Sequence, residues 1–145
     1  MSIVHIACDH AGFALKERIK QELASLGHEV VDHGTNSDIA CDYPEYAKLL
    51  TQACQQNREA GILICGTGIG MSMAANRVPG IRAALCTTET HAKLARKHNN
   101  ANVLCLGARL TGETLALAIT CAFLSTPFEG GRHSRRCAQL ETMLG

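Results

Sequence analysis

Cys65 closes the apolar run AGILIC and is followed at once by the glycine-rich turn Gly66-Thr67-Gly68-Ile69-Gly70. A turn of this kind between a strand and a helix aims several backbone N–H groups at one point. The helix start adds the positive end of its dipole, so an anion can be held there. Either a phosphate or an enediolate oxygen would fit. A cysteine at a helix N-terminus ionises more readily than a free one and can act as a base near neutral pH. The plainer reading makes Cys65 the last core residue of a strand, like Cys86 at the end of its own apolar run, since free cysteine is so often buried. The adjoining glycine turn favours the base. Other uses of the turn fail: a dinucleotide fingerprint from Gly66 needs glycine where Met71 stands, and a P-loop needs Lys-Ser/Thr after the turn. A phosphatase-type cysteine loop would also want an arginine at Met71. Proton transfer therefore suits Cys65 better than attack on phosphorus.

Three further stations carry reactive groups. Asp9-His10 follows the first apolar run, and the aspartate reads equally as a cap opening the next helix. His98-Asn99 ends a helical pattern, where both residue types also occur for dipole and left-handed-turn reasons. The segment EGGRHSRR sets Arg132 and Arg136 four apart on one helix face, with His133 and Arg135 beside them. Guanidinium groups so spaced suit a phosphate, although a basic cluster is also an ordinary solvated surface. Arg109, directly after the fifth apolar run, is another candidate anchor. Asp9-His10, Cys65 and His98-Asn99 are expected to converge on one rim of the molecule.

The elements that must position them alternate regularly. Strands are expected at Ile3–Ala7, Glu29–Asp32, Ala60–Cys65, Arg82–Cys86 and Val103–Leu106. Helices are expected between them: from Phe13 to a stop at Gly27, at Tyr46–Cys54 entered through Pro44, from about Met71, at Thr88–His98, and at Thr111–Ser125. A last helix begins near Ser134. This alternation predicts an α/β fold, with an open parallel five-stranded sheet, helices on both faces and ligands beyond the carboxyl ends of the strands.

The 145 residues suffice for one domain with its own core, and no repeat or linker suggests a cut. A net charge of +1 and 3% aromatic residues give no footprint for nucleic acid, so the partner is expected to be small. Eight cysteines without a CxxC, several inside strand-like runs, read as reduced thiols, and a redox or zinc role lacks clustered Cys and His. The sequence MSIVHIACDH has no basic leader, and no apolar run spans a bilayer; a cytoplasmic protein without membrane contact is expected.

Taken in order, CDHAGFALK, DYPEYA, ICGTGIGMSMAANRVPGIRAALC, ARKHNNANVLCLGAR and FEGGRH resemble ribose-5-phosphate isomerase of type B along nearly the whole chain. The resemblance implies a Rossmann-like three-layer sandwich that interconverts ribose 5-phosphate and ribulose 5-phosphate in the non-oxidative pentose phosphate pathway, with no cofactor or metal. It implies Cys65 as the proton-transferring base, His98 opening the furanose ring, Asp9 assisting at the sugar oxygens and Thr67 hydrogen-bonding near the base. The turn Gly66, Gly68, Ile69 and Gly70 would hold the enediolate. His10, Arg109, Arg132 and Arg136 look like phosphate-side residues, and Tyr43 and Asn99 like groups lining the sugar. The family divides between a cysteine base and a glutamate base within the turn; Cys65 with Ile69 resembles the cysteine branch. Family members are dimers or tetramers of dimers with active sites between subunits, so arginines here, and the last helix, are expected to reach a neighbour. Allose 6-phosphate or galactose 6-phosphate isomerisation uses identical chemistry and stays open. A non-catalytic sugar-phosphate binder is the rival from another class.

Overall fold

The computed structural model describes residues 2–144. Three runs, β1 (Ile3–Cys8), β3 (Ala60–Cys65) and β5 (Val103–Gly107), are apolar almost throughout and almost wholly buried. Continuous apolar runs of this length are what strands covered on both faces require. The shorter β2 (Glu29–Asp32) and β4 (Ala83–Leu85) are only half buried and take the edges. All pair in parallel in the order β2-β1-β3-β5-β4.

Six helices connect and cover them: α1 (Phe13–Ser25), α2 (Tyr43–Asn57), α3 (Ile69–Ala75), α4 (Glu89–Asn99), α5 (Glu113–Ser125) and α6 (Arg132–Thr142). Strand side chains alternate, so Val4, Ile6, Ile62, Ile64, Leu104 and Leu106 meet α1, α4 and α5 on one face. On the other, Ala7, Leu63, Cys65, Val103 and Cys105 meet α2 and α3. The architecture is the expected three-layer α/β sandwich. Gly27, at φ +89, ends α1 as expected: its N–H bonds Ala24 and the His28 N–H bonds Leu23, the paired closure of a left-handed helix stop.

Local differences have local causes. A short 3-10 turn, His10–Gly12, precedes α1 because Asp9 caps it. Helix α2 starts at Tyr43, one residue ahead of Pro44, whose missing N–H is harmless in a first turn. Helix α6 begins at Arg132 rather than near Ser134, and α3 at Ile69 rather than Met71. All eight cysteines are free thiols. Among the described residues no helix is long and apolar enough to cross a membrane.

The chain leaves β1 for β2 on one side and β3 for the other side of the sheet. The gap between the carboxyl ends of β1 and β3 is therefore the switch point, where open α/β sheets bind ligands.

Candidate active site

At that point Cys8 stands opposite Ile64, and the chain leaves the two strands as Asp9 and Cys65. The Asp9 N–H bonds the Ile64 carbonyl at 3.1 Å, and its buried Oδ1 accepts the Ala11 and Gly12 N–H groups at 3.0 and 3.2 Å. The cap is real and also fixes the carboxylate beside the thiol. Next to it, His10 Nδ1 accepts the Cys41 N–H at 3.2 Å, which leaves Nε2 to carry the proton of the neutral ring.

Cys65 is 5% exposed, and its Sγ accepts the Gly68 N–H at 3.1 Å. That amide turns back because Gly68 holds φ +79. A Cβ there would stand 2.5 Å from Leu85 Cδ1 and 3.0 Å from the Leu106 backbone, so only glycine fits. Thr67 is exposed and its Oγ1 accepts the Ile69 N–H at 3.2 Å, closing the turn. The first N–H groups of α3 have no intrahelical acceptor by construction, so the turn offers donors to an anion. Tyr43 packs its ring on Gly70, and Arg109 lies over Gly66, with its own N–H on the Gly66 carbonyl at 2.9 Å. Asp9, His10, Tyr43, Arg109 and the turn from Cys65 to Gly70 thus gather at one end of the sheet.

Four other cysteines lie buried in the core. Burial pushes the thiols of Cys8 and Cys54 up to about 12, Cys86 to about 11 and Cys105 higher still. These are core thiols.

A support that the residue pattern did not announce lies under the connection after β2. Lys16 is fully buried, and its Nζ bonds both oxygens of Asp32 and the Thr35 carbonyl, each at 2.7 Å. Burial alone would raise Asp32, but hydrogen bonds from Lys16, Lys20 and the Gly34 N–H together hold it below the usual carboxylate range. The network anchors the start of the segment 33–42, whose Cys41 holds His10. A lysine within the apolar stripe Leu15, Ile19, Leu23 is the signal that marks it.

The expected convergence on one rim fails for His98 and Asn99. Helices in this fold run back against the strands, so the end of α4 lies at the amino end of β5. Val103 pairs with Gly61, whereas Cys65 pairs with Gly107, so about 13 Å of strand, at ~3.3 Å per residue, separates the two ends. The left-handed residue ending α4 is Asn100, and Asn99 is its last helical residue.

Helix α6 joins that opposite end. The His98 and His133 rings stack 4.4 Å apart, the Cys137 thiol lies 3.5 Å from the His98 carbonyl, and the Glu129 N–H bonds the Lys97 carbonyl at 3.2 Å. Both Nε2 atoms face Glu129 Oε1, at 3.9 Å from His98 and 3.5 Å from His133. Desolvation, then the neighbouring His98 ring and Arg132, hold His133 below its ordinary value. Packing of α6 on α4 thus brings two histidines remote in sequence together with Glu129, a grouping that includes no thiol.

A thiol and a carboxylate beside an N–H-lined turn, at the switch point of an open parallel sheet, define an α/β protein equipped to move a proton on a small oxygen-rich anion. The chain belongs to the family described as Ribose/Galactose Isomerase, which it matches over residues 4–140. It is 46% identical over 137 residues to ribose-5-phosphate isomerase B of Escherichia coli, covering 94% of this chain and 92% of that protein. Its backbone superposes on a ribose 5-phosphate isomerase from Thermotoga maritima with a TM-score of 0.95 at 55% identity, over 97% of both chains. It likewise matches ribose-5-phosphate isomerase B from Mycoplasma genitalium, solved with bound ribulose 5-phosphate. There the TM-score is 0.94 at 44% identity, over 98% of this chain and 95% of that one.

Proposed function

We propose that this chain interconverts ribose 5-phosphate and ribulose 5-phosphate through an enediolate, with Cys65 as the base. The carrying observation is Cys65 beneath the Gly68 N–H, beside capped Asp9, in a chain so similar to proteins named for that reaction. Cys65 removes the C2 proton of the open-chain aldose, and the electron pair moves through C1 onto the carbonyl oxygen. The N–H cradle of the turn holds the resulting enediolate. A proton passes between the two sugar oxygens, Cys65 returns its proton to C1, and C2 becomes the ketone. One base serves both carbons and the electrons balance without a cofactor. A positioned acid or base contributes about 10²–10⁴-fold, so the N–H cradle must supply much of the remaining acceleration.

His98 opens the furanose ring, and Arg132 and Arg136 take the phosphate together with His10 and Arg109. Since one chain carries these groups at opposite ends, the working site combines the Cys65 end of one copy with the His98 end of a second. A two-fold dimer makes two such sites at once. Exposed Ile39, Ile69 and Leu110 near the first end, and Leu140 on α6 with Met143 just after it, are apolar surface available to that contact. The same reading places the enzyme in the cytoplasm, acting on a free sugar phosphate.

The test is ketose formation from ribose 5-phosphate by purified protein beside Cys65→Ala, without added metal or nucleotide, with allose 6-phosphate and galactose 6-phosphate in parallel. Turnover of the pentose, lost in the variant, supports the reading. A folded parent that turns over only a hexose phosphate overturns the substrate, and an undiminished Cys65→Ala overturns the base.

A further inference from the structure

Among the described residues, His98, Glu129 and His133 form a group whose ligand atoms all lie within 4.8 Å of one another. We propose that these three residues form a binding site for a divalent transition ion of the zinc type, and that its occupation inhibits the enzyme. Two imidazole nitrogens and one carboxylate oxygen are a donor set that such ions take in open sites, with the fourth position left to water.

The geometry is partly assembled. Bonds of about 2.0–2.1 Å in a tetrahedron put neighbouring ligand atoms roughly 3.3 Å apart. The present separations from Glu129 Oε1 are 3.5 Å to His133 and 3.9 Å to His98, and all the ligand atoms lie within 4.8 Å, so the ion must draw the three donors together. Both histidines present Nε2 to the same oxygen, but their rings are stacked, 18° apart in plane, so the imidazoles must turn out of the stack for both in-plane lone pairs to meet one ion. The His98 and His133 backbones are fixed by helices α4 and α6, so the adjustment falls on the side-chain torsions of the two histidines and on Glu129, half exposed in the connection before α6.

Selectivity follows from the surroundings. Arg132 and Arg136 stand close enough to His133 to repel a cation, and Glu129 is the one anionic donor. Magnesium and calcium, which depend on several oxygen ligands, therefore gain little here, whereas an ion with affinity for imidazole gains two strong bonds. The effect on turnover rests on the ring-opening role given to His98: an ion on Nε2 occupies the lone pair that would move a proton at the sugar. Binding itself does not depend on that role.

Cobalt(II) is the probe, because four- or five-coordinate cobalt absorbs visibly where the hydrated ion absorbs weakly. One equivalent is expected to develop such bands in the whole protein and equally in Cys65→Ser. In Glu129→Gln the titration midpoint is expected to rise at least about tenfold, and in His133→Asn the bands are expected to vanish. Glu129 is exposed, so its replacement leaves the fold in place. Bands absent from the parent, unmoved in both variants, or lost in Cys65→Ser would overturn the site. Zinc should inhibit ketose formation, a chelator should restore it, and Glu129→Gln should tolerate at least about tenfold more zinc; equal sensitivity would overturn the inhibitory role. The cobalt spectrum is read without substrate, so a chain unable to isomerise would sink the proposed reaction and not this site.

Discussion

If Cys65 and His98 work on the same sugar, they must come from different copies of the chain. A catalytic hydrogen bond spans about 3 Å, whereas about 13 Å of sheet divides the end that holds Cys65 from the end that β5 shares with α4, and no rotamer closes that gap. Two damaged chains should therefore repair one another. In Cys65→Ala homodimers every site lacks its base, and in His98→Asn homodimers every site lacks its ring-opening group. Each should retain no more than about 1% of parental turnover, given the 10²–10⁴-fold scale of such groups. In a two-fold heterodimer one site collects both lesions and the other collects neither. Heterodimers isolated with two different affinity tags should then run at about half the parental rate per dimer, and a freely exchanged equal mixture at about a quarter. Initial rates of ketose formation decide it. Heterodimers no faster than the homodimers would refute the shared site and require His98 to act elsewhere.

Gly68→Ala should lower stability by roughly 2–5 kcal/mol, from left-handed strain plus overpacking against Leu85 and Leu106, and should cut kcat more than KM as the amide leaves the Cys65 sulfur; denaturant midpoints and steady-state kinetics read both. Lys16→Met should cost about 3 kcal/mol in chemical denaturation, because Asp32 and the Thr35 carbonyl lose a buried cation while Lys20 still holds the carboxylate. His33 is held below its ordinary value, by burial first and by His5 next, so the unfolded chain binds its proton at higher pH than the folded one. Its stabilising contribution is complete above about pH 6.5 and is lost as pH falls toward the folded value, and His33→Gln should flatten that stretch of the stability profile.

What the residues disclose directly is whatever depends on local pattern. Apolar runs such as AGILIC and VLCLG announce buried parallel strands, and the glycines after Cys65 announce a tight turn into the next helix, because both signals are contained within a few residues. The cap formed by Asp9 and the stop at Gly27 are legible for the same reason. His98 was misplaced on the Cys65 rim because proximity to a strand in sequence does not say which end of the strand is near. The direction of α4 does say so: a helix that returns the chain to the start of a parallel strand ends at the amino rim. The grouping of His98 with Glu129 and His133 is of another order: Glu129 and His133 stand four apart, but His98 joins them only because α6 packs against α4. Lys16 lies between these cases, its charge conspicuous on an apolar stripe but its partner, Asp32, set only by the pairing of β1 with β2.

Cys65 and Cys105 make the case for position over residue type. Both are buried on the same face of the sheet, on neighbouring strands, and both touch the cluster formed with α2 and α3. Cys105 pairs opposite Leu63, two residues short of the strand end, where it is wholly buried and burial drives its thiol upward. Cys65 pairs opposite Gly107, the last step of both strands, and there the chain stops offering its amides to the sheet. Gly68 turns one of those amides onto sulfur, and the following residues open α3 with donors that no carbonyl satisfies. A shift of two residues along the strand thus separates a thiol enclosed in the core from one that meets the glycine turn. The glycine turn makes that difference, so its loss should be as damaging to catalysis as the loss of the sulfur.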